Sequence, residues 1–484
     1  MKFSLLSRAA DLPAVCGAVN DLSLARTFTK ILGSGRRTDY FISVISRPLT
    51  SIEDIEYRRA VITDLLGQKD LLERLKTVFN RYDAMKSDWL ELRSSAVSQT
   101  SSAEAELDAA WSSLKITALF PNTLVSFFTN IRDALAGREL SSDALCRMRD
   151  YCTEMLGGKV LSDIVDIAES FRYNNAEDYR FALDLGLNER LEVTSCEITG
   201  ILAKLEEKKT LRSILTNKKQ KLLPFEGGEG AEDAKRLLAT ALTDIDRTLS
   251  SLINSIYETF YGISGELAFY ESALGYIGYL ENNKLGCCYP ALAEPGEMCC
   301  EIRDLRDLYL ASGGMTADEI IPNDLSLEGE SKGMLIRGEN GAGKTTFLRS
   351  LGAAQLLCQA GLPIPAKEAT ISLRSAIFTH FSAAEEKFSE GDTAGRFEGE
   401  ARALSQIMGA LVPNSLLLLN ETFQTTAFAE GTKAMADILR ILPRCAVQYI
   451  FVTHLTGLFD NADKGVIKCE FDEKEHKYTL LDRV

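Results

Sequence analysis

Long apolar runs are missing from this sequence. The fattiest stretches, such as Leu416–Leu419, have the length of a strand, well short of the roughly 18 apolar residues a membrane-spanning helix needs. Basic residues are in deficit, with 54 Lys and Arg against 69 Asp and Glu and a formal net charge of −15. Cut at residue 300, the two portions carry −8 and −7. Neither portion supplies a field that would gather nucleic acid around the whole molecule, although a local basic groove is compatible with these totals. Histidines number three, too few for a histidine-rich metal site. Prolines are sparse, 11 in 484 residues, and the longest helical pattern contains none.

The 11 cysteines are odd in number and spread from Cys16 to Cys469, which fits reduced thiols in a cytosolic protein better than a disulfide framework. The doublets Cys287-Cys288 and Cys299-Cys300 lack the gap that lets two sulfurs converge on zinc, so they read as ordinary thiols before they read as ligands. The opening MKFSLLSRAADLPAVCGAVN has Lys2 and Arg8 but no unbroken apolar core before Asp11, so no secretory leader is expected. What the chain does have is apolar content: 45% hydrophobic residues exclude disorder as a description of the whole. At roughly 100–200 residues per domain, two to four domains are expected.

The first 300 residues read mostly as helix. Thr50 and Glu53 suggest a capping box, and Ile52, Ile55, Val61 and Leu65 then mark an apolar stripe that Gly67 ends. Another helix is expected from about Ser102 to Phe120, with Pro121 helping to end it. From Gly230 to about Leu280 runs an unusually long pattern that Gly262, Gly265, Gly275 and Gly278 can bend or interrupt. Its length suits a lever or scaffold. The one basic patch lies before it, with six Lys or Arg from Lys208 to Lys221, and reads as a phosphate contact or as a solvated face beside a linker. Beyond Ile302 short β-like runs alternate with helices: Gly333–Gly338 then Lys344–Ala360, Ser415–Leu419 then Gly431–Leu442, and last Val447–Val452. Such alternation predicts an α/β domain with a largely parallel sheet. The fold expected is therefore α + α/β.

The sharpest motif is GENGAGKT, Gly338 to Thr345, between the apolar MLIR and the helical TFLRS. Glycines let consecutive amides turn inward at phosphate oxygens, and the next helix adds free amides at its start. Gly338, Asn340, Gly341, Gly343, Lys344, Thr345 and Thr346 are the candidate nucleotide contacts. Lys344 would reach the β- and γ-phosphates and Thr345 would place its hydroxyl on magnesium. The competing reading is a glycine-rich turn kept as structure. The second motif is SLLLLNE, Ser415 to Glu421, a buried strand ending where a P-loop ATPase presents an acid for magnesium. Here that position is Asn420, which can hydrogen-bond to a metal-bound water but lacks the charge. Glu421 is the candidate general base. His454, after Ile450-Phe451-Val452-Thr453, is a candidate sensor of the γ-phosphate, against the alternative of a satisfied core histidine. His380 and His476 are given no catalytic role.

Together these pieces resemble the MutS family of DNA mismatch-repair ATPases. The resemblance runs through IPNDL (Ile321–Leu325), GENGAGKTTFLRSLGAAQLLCQAGLPIPA, IFTHFSAAEE, GRFEGEARAL (Gly395–Leu404), SLLLLNETFQTTAFAEG and VTHLTGL, in family order. Upstream, SRPLTSIE (Ser46–Glu53) resembles the start of the family's helical core. The resemblance implies an extension over 1–33, a helical core and lever over 34–300, and an ABC-type ATPase domain over 301–484, without the N-terminal mismatch-reading domain. It implies ATP and Mg2+ as cofactors, Ile320 or Ile321 beside adenine, and Thr345 with Asn420 at the metal. It further implies a homodimer in which Gly395, Arg396, Phe397 and Glu400 complete the partner's site, with Gln424–Thr426 crossing the interface.

The expected function is a cytoplasmic ATP switch, with no membrane role, whose pairing of ATPase domains and helical arms acts on branched or mismatched DNA. The alternative is a nucleotide-gated protein scaffold with little hydrolysis. A third class, an ABC-type transporter ATPase, is disfavoured by the long helical first part and the order of the motifs.

Overall fold

The structure is a computed structural model that describes residues 3–8, 21–95, 102–171, 179–189, 193–203, 229–328, 331–382, 393–423, 428–471 and 479–483. The basic patch at Lys208–Lys221, the Gln424–Thr426 loop and His476 lie outside the described residues. Helices come first: α1 (Leu24–Leu32), α2 (Arg36–Ile45), α3 (Ile52–Gly67), α4 (Leu71–Ser95), α5 (Ala103–Ala118), α6 (Phe120–Leu135), α7 (Asp143–Gly157) and α8 (Lys159–Glu169). Strands β1 (Tyr179–Leu187) and β2 (Val193–Ala203) come next, then α9 (Glu229–Thr259) and α10 (Ile263–Asn282). The remainder alternates: β3 (Ala291–Ala293), β4 (Cys300–Leu305), α11 (Leu308–Ser312), β5 (Asn323–Leu327), β6 (Gly333–Arg337), α12 (Lys344–Gln359), β7 (Glu368–Ser372) and β8 (Ile377–Phe381). It ends with α13 (Thr393–Ala410), β9 (Leu416–Asn420), α14 (Phe428–Ile441), β10 (Gln448–Val452), α15 (Thr456–Asp460), β11 (Val466–Phe471) and β12 (Leu480–Arg483). No helix among the described residues is long and apolar enough to cross a membrane.

Two compact units result. One comprises Met1–Phe3, Asp70–Leu140 and Ala144–Ser264; the other comprises Ser4–Lys69, Ser141–Asp143 and Gly265–Val484. In the first, the helices close over aromatic rings, with Tyr82 stacked on Phe127 at 3.9 Å and Phe79 edge-on to Phe127 at 5.3 Å. On α9, Leu238, Leu242, Leu249 and Ile253 are buried, as the apolar spacing requires. Asp246, on the same helix, is buried but well supplied with donors. It accepts from Arg93 Nη2 at 2.9 Å, Ser113 Oγ at 2.9 Å and Thr117 Oγ1 at 2.5 Å, which offsets the cost of taking a carboxylate from water.

Several local expectations are corrected here. The cap of α3 is Ser51, not Thr50: the Ser51 hydroxyl accepts from Asp54 N at 3.4 Å and donates to Glu53. Ser102 caps α5, but Pro121 opens a new helix, sitting in the first turn of α6 where its missing N–H costs nothing. The long pattern after Gly230 is two helices of 31 and 20 residues. The break falls at Gly262, whose φ of 95° is left-handed, while Gly265, Gly275 and Gly278 stay inside α10. The antiparallel pair β1–β2 lies in a region expected to be mostly helical. The two-residue alternation of Phe181, Leu183, Leu185 and Leu187 was its signal.

The second unit holds the main sheet, in the order β12-β11-β6-β10-β9-β8. Neighbours from β11 to β8 are parallel, and only β12 runs antiparallel, on the edge. The expected parallel sheet is present, but Val447–Val452 is not its last strand: β11 and β12 extend it on the far side of β6. The four leucines of β9 are buried to 2% exposure or less, as a central parallel strand covered on both faces demands. A smaller sheet, β3-β7-β4-β5, also belongs to this unit. The segment before α1 packs onto α12. Leu22 is buried, and a side chain at Gly352 would come within 2.5 Å of Leu22 and 2.9 Å of Leu418 on β9.

A buried amine in the helical unit gives a pH test. Lys86 lies 3.9 Å from the Trp89 ring centroid and donates to Asn254 Oδ1 at 2.5 Å. Burial, with the Arg93 guanidinium nearby, pulls its pKa from 10.5 down to about 8. Between those values the unfolded chain keeps a proton that the folded chain has released, so raising the pH stabilises the fold. Below pH 8 both states are protonated and the burial penalty is felt in full. The stability advantage of Lys86→Met over the unmodified protein is therefore expected to shrink steadily from pH 8 to pH 10. Urea denaturation at fixed temperature measures it; an advantage independent of pH would contradict the assignment.

Candidate nucleotide site

The site begins with strand register. Ile336 of β6 pairs with Val452 of β10, and Val452 pairs with Asn420 of β9. Three carboxyl ends thus finish level, the place where open α/β sheets bind ligands. Backbone bonds carry the alignment one residue further: Thr453 N donates to Ile336 O at 3.0 Å, Glu421 N to Val452 O at 2.9 Å, and Ser382 N to Asn420 O at 3.0 Å. The residues just past each strand are therefore gathered into one patch.

After β6 comes the glycine turn. Gly341 and Gly343 have φ of 84° and 96°, which a side chain would resist. Gly343 is the N-cap of α12, and no side chain caps that helix, so its first amides are not claimed by a capping group. Lys344 is buried and curls back over the turn, donating to Gly338 O and Glu339 O at 2.7 Å each. Thr345 Oγ1 donates to Asn420 Oδ1 at 3.1 Å, tying the start of α12 to the end of β9. Thr346 is next on the same helix.

The other candidates converge on this point. His454 Nε2 lies 3.0 Å from Asn340 Oδ1 and 3.5 Å from Glu421 Oε1. It is a link between the turn and the end of β9 rather than a core histidine. Glu421 sits in the left-handed region, φ 56°, with its carboxylate partly exposed. His380 is the core histidine. It is buried, 2.9 Å from Thr422 Oγ1, and burial lowers its pKa below the usual 6.5.

The remaining candidates are spread more widely. Ile320 is buried and Ile321 exposed. Gly395, Arg396 and Phe397 lie on the first turns of α13. Glu400, on the same helix, is engaged within its own chain by Ser382 and Phe423. Sequence reasoning missed Ser382, and it missed Asp21, whose carboxylate accepts from Thr379 Oγ1 at 2.7 Å and whose carbonyl accepts from Arg349 Nε at 3.1 Å. Ser382 lies inside IFTHFSAAEE without a role of its own there, and Asp21 carries no motif.

Part of the chain resembles known proteins in sequence. Residues 334–482 match the family model for MutS domain V. A DNA mismatch repair protein MutS from Petrotoga mobilis is 34% identical over 144 residues, 29% of this chain and 17% of that protein. An endonuclease MutS2 from Pelotomaculum thermopropionicum is 29% identical over 240 residues, 48% of this chain and 29% of that protein. A MutS from Leptospira interrogans is 27% identical over 273 residues, 52% of this chain and 32% of that protein. The chain thus spans a third or less of the length of these relatives. The glycine turn and the level strand ends thus lie within the region that matches MutS domain V.

Proposed function

We propose that the protein binds ATP with Mg2+ and hydrolyses it, using the nucleotide to control pairing with a second copy. The observation that carries this reading is the convergence of Lys344, Thr345, Asn420, Glu421 and His454 at the ends of three parallel strands. The uncapped start of α12 fits phosphate oxygens, and Lys344 can exchange its two loop carbonyls for them. Among the described residues no three His, Cys, Asp or Glu side chains form a metal cage. Magnesium at a phosphate site takes one or two protein oxygens and keeps its waters. Thr345 and Asn420 are the residues to hold it. When bound, the ion neutralises charge on the phosphates. Glu421 accepts a proton from the attacking water, and His454 positions Glu421 and Asn340 together. Gly395, Arg396 and Phe397 are assigned to the site of the opposite copy, with Ile320 or Ile321 beside the base.

The proposed target is branched or mismatched DNA, in keeping with relatives named for mismatch repair and as an endonuclease. A second reading, a nucleotide-gated scaffold with little turnover, is favoured by the neutral Asn420 and the net charge of −15. Binding of duplex, mismatched and branched DNA across a salt series separates the two. The first requires saturable binding that weakens with salt and responds to ATP; the second requires none at low salt.

Three substitutions test the site. Lys344→Ala is expected to weaken ATP binding at least about tenfold, read by calorimetry, since it removes a charge-assisted contact. Glu421→Ala should leave binding intact and lower turnover roughly 100-fold or more; a full rate would remove Glu421 as the base. Asn420→Asp supplies the missing charge and is expected to raise magnesium-dependent hydrolysis by about tenfold, equivalent to ~1.4 kcal/mol of barrier. An unchanged rate would show that the amide is no deficit.

A further inference from the structure

Both carboxylate oxygens of Glu400 are engaged within its own chain. Its Oε1 accepts from Ser382 Oγ at 2.5 Å and its Oε2 accepts from Phe423 N at 2.8 Å. Ser382 is the first residue after β8, and its own N–H is bonded to Asn420 O. Phe423 lies two residues beyond Glu421. One carboxylate on α13 thus ties together the ends of β8 and β9, beside the proposed base.

The backbone after β9 needs such a tie. Glu421 and Phe423 both have positive φ, 56° and 63°. Left-handed backbone is unfavourable for residues with a Cβ and persists only where the surroundings hold it. Three of the described bonds help to hold this turn: Glu421 N to Val452 O, the pair Thr422 Oγ1 and His380 Nδ1, and Phe423 N to Glu400. The first two come from neighbouring strands of the same sheet. The third comes from a helix and carries a charge on the acceptor, which makes it the strongest kind. The Phe423 ring is buried in the core beneath, so a shift at its amide is passed to Glu421 rather than absorbed by solvent.

We propose that Glu400 is a positioning residue acting within its own chain: it fixes the left-handed turn that aims Glu421. The proposal rests on the ATPase reading and deepens it. It also links α13, whose first turns carry Gly395, Arg396 and Phe397, directly to the base of the same copy.

The test compares steady-state hydrolysis and nucleotide affinity of the full chain with Glu400→Ala, Glu400→Gln, Ser382→Ala, Glu421→Ala and the double variant Glu400→Ala/Glu421→Ala. Glu400→Ala is expected to lower kcat roughly 10- to 100-fold, as misplacement of a reacting group does, with KM and nucleotide affinity held within about threefold. Glu400→Gln recovers most of the rate, because its amide oxygen can accept from Phe423 N while its NH2 donates to Ser382 Oγ. Ser382→Ala falls between them, and it carries the test with Glu400→Gln should Glu400→Ala fail to fold. The double variant is expected to be no slower than Glu421→Ala alone, since a residue that acts through Glu421 has nothing left to act on. A Glu400→Ala enzyme with full kcat, or losses that multiply in the double variant, would overturn the proposal while leaving the ATPase reading intact. An unmodified protein without turnover overturns both.

Discussion

The level ending of β6, β10 and β9 is the constraint on which the site depends. A parallel sheet offers no side chain of its own at the reaction centre; it offers a row of exits, and the register decides which residues leave together. Ile336, Val452 and Asn420 lie in one row, so the glycine turn, His454 and Glu421 emerge side by side. A slip of one residue in β9 would turn Asn420 and Glu421 to the opposite faces. The four buried leucines guard against that slip only weakly by pattern, since both faces are apolar. The stronger guard lies just beyond them, where the Thr345–Asn420 bond and the Glu421–Val452 bond lock the register at its end.

Electrostatics give the site its particular character. Its described polar contacts pair a hydroxyl with an amide, an imidazole with an amide and with the Glu421 carboxylate, and the Lys344 ammonium with two carbonyls. The Glu400 carboxylate makes its charge-assisted bonds to backbone and serine. An ion held there as proposed would meet less charge from Asn420 than an aspartate would give.

Much of this was legible in the sequence, for physical reasons. The strand–turn–helix from Gly333 to Gln359 arises from an apolar run, glycines where left-handed backbone is needed, and a helix with good formers. β9 and β10 were readable because strands covered on both faces are continuous apolar runs. Other features had no local sign of their role. Ser382 and Asp21 act through long-range contacts, separated from their partners by 18 and 358 residues. The edge strand β12 and its neighbour β11 carry mixed polar sequences, in which the apolar signal fades. α1 to α3 belong to the strand-rich unit, which no periodicity announces. Ser51 displaced Thr50 as a cap by one position, the ordinary uncertainty of helix ends.

The contacts of Asp21 and Leu22 change what counts as the smallest workable piece of this protein. The helix after the glycine turn is sandwiched between β9 and Leu22, with Gly352 leaving room for both. Asp21 fastens the same helix and β8 from the outside. A recombinant fragment begun near residue 300, where the strand-rich texture starts, would expose the apolar flank of that helix to water and invite aggregation. Anyone excising the strand-rich half should carry the segment from Asp21 through α3 along with it, by fusion or by co-expression.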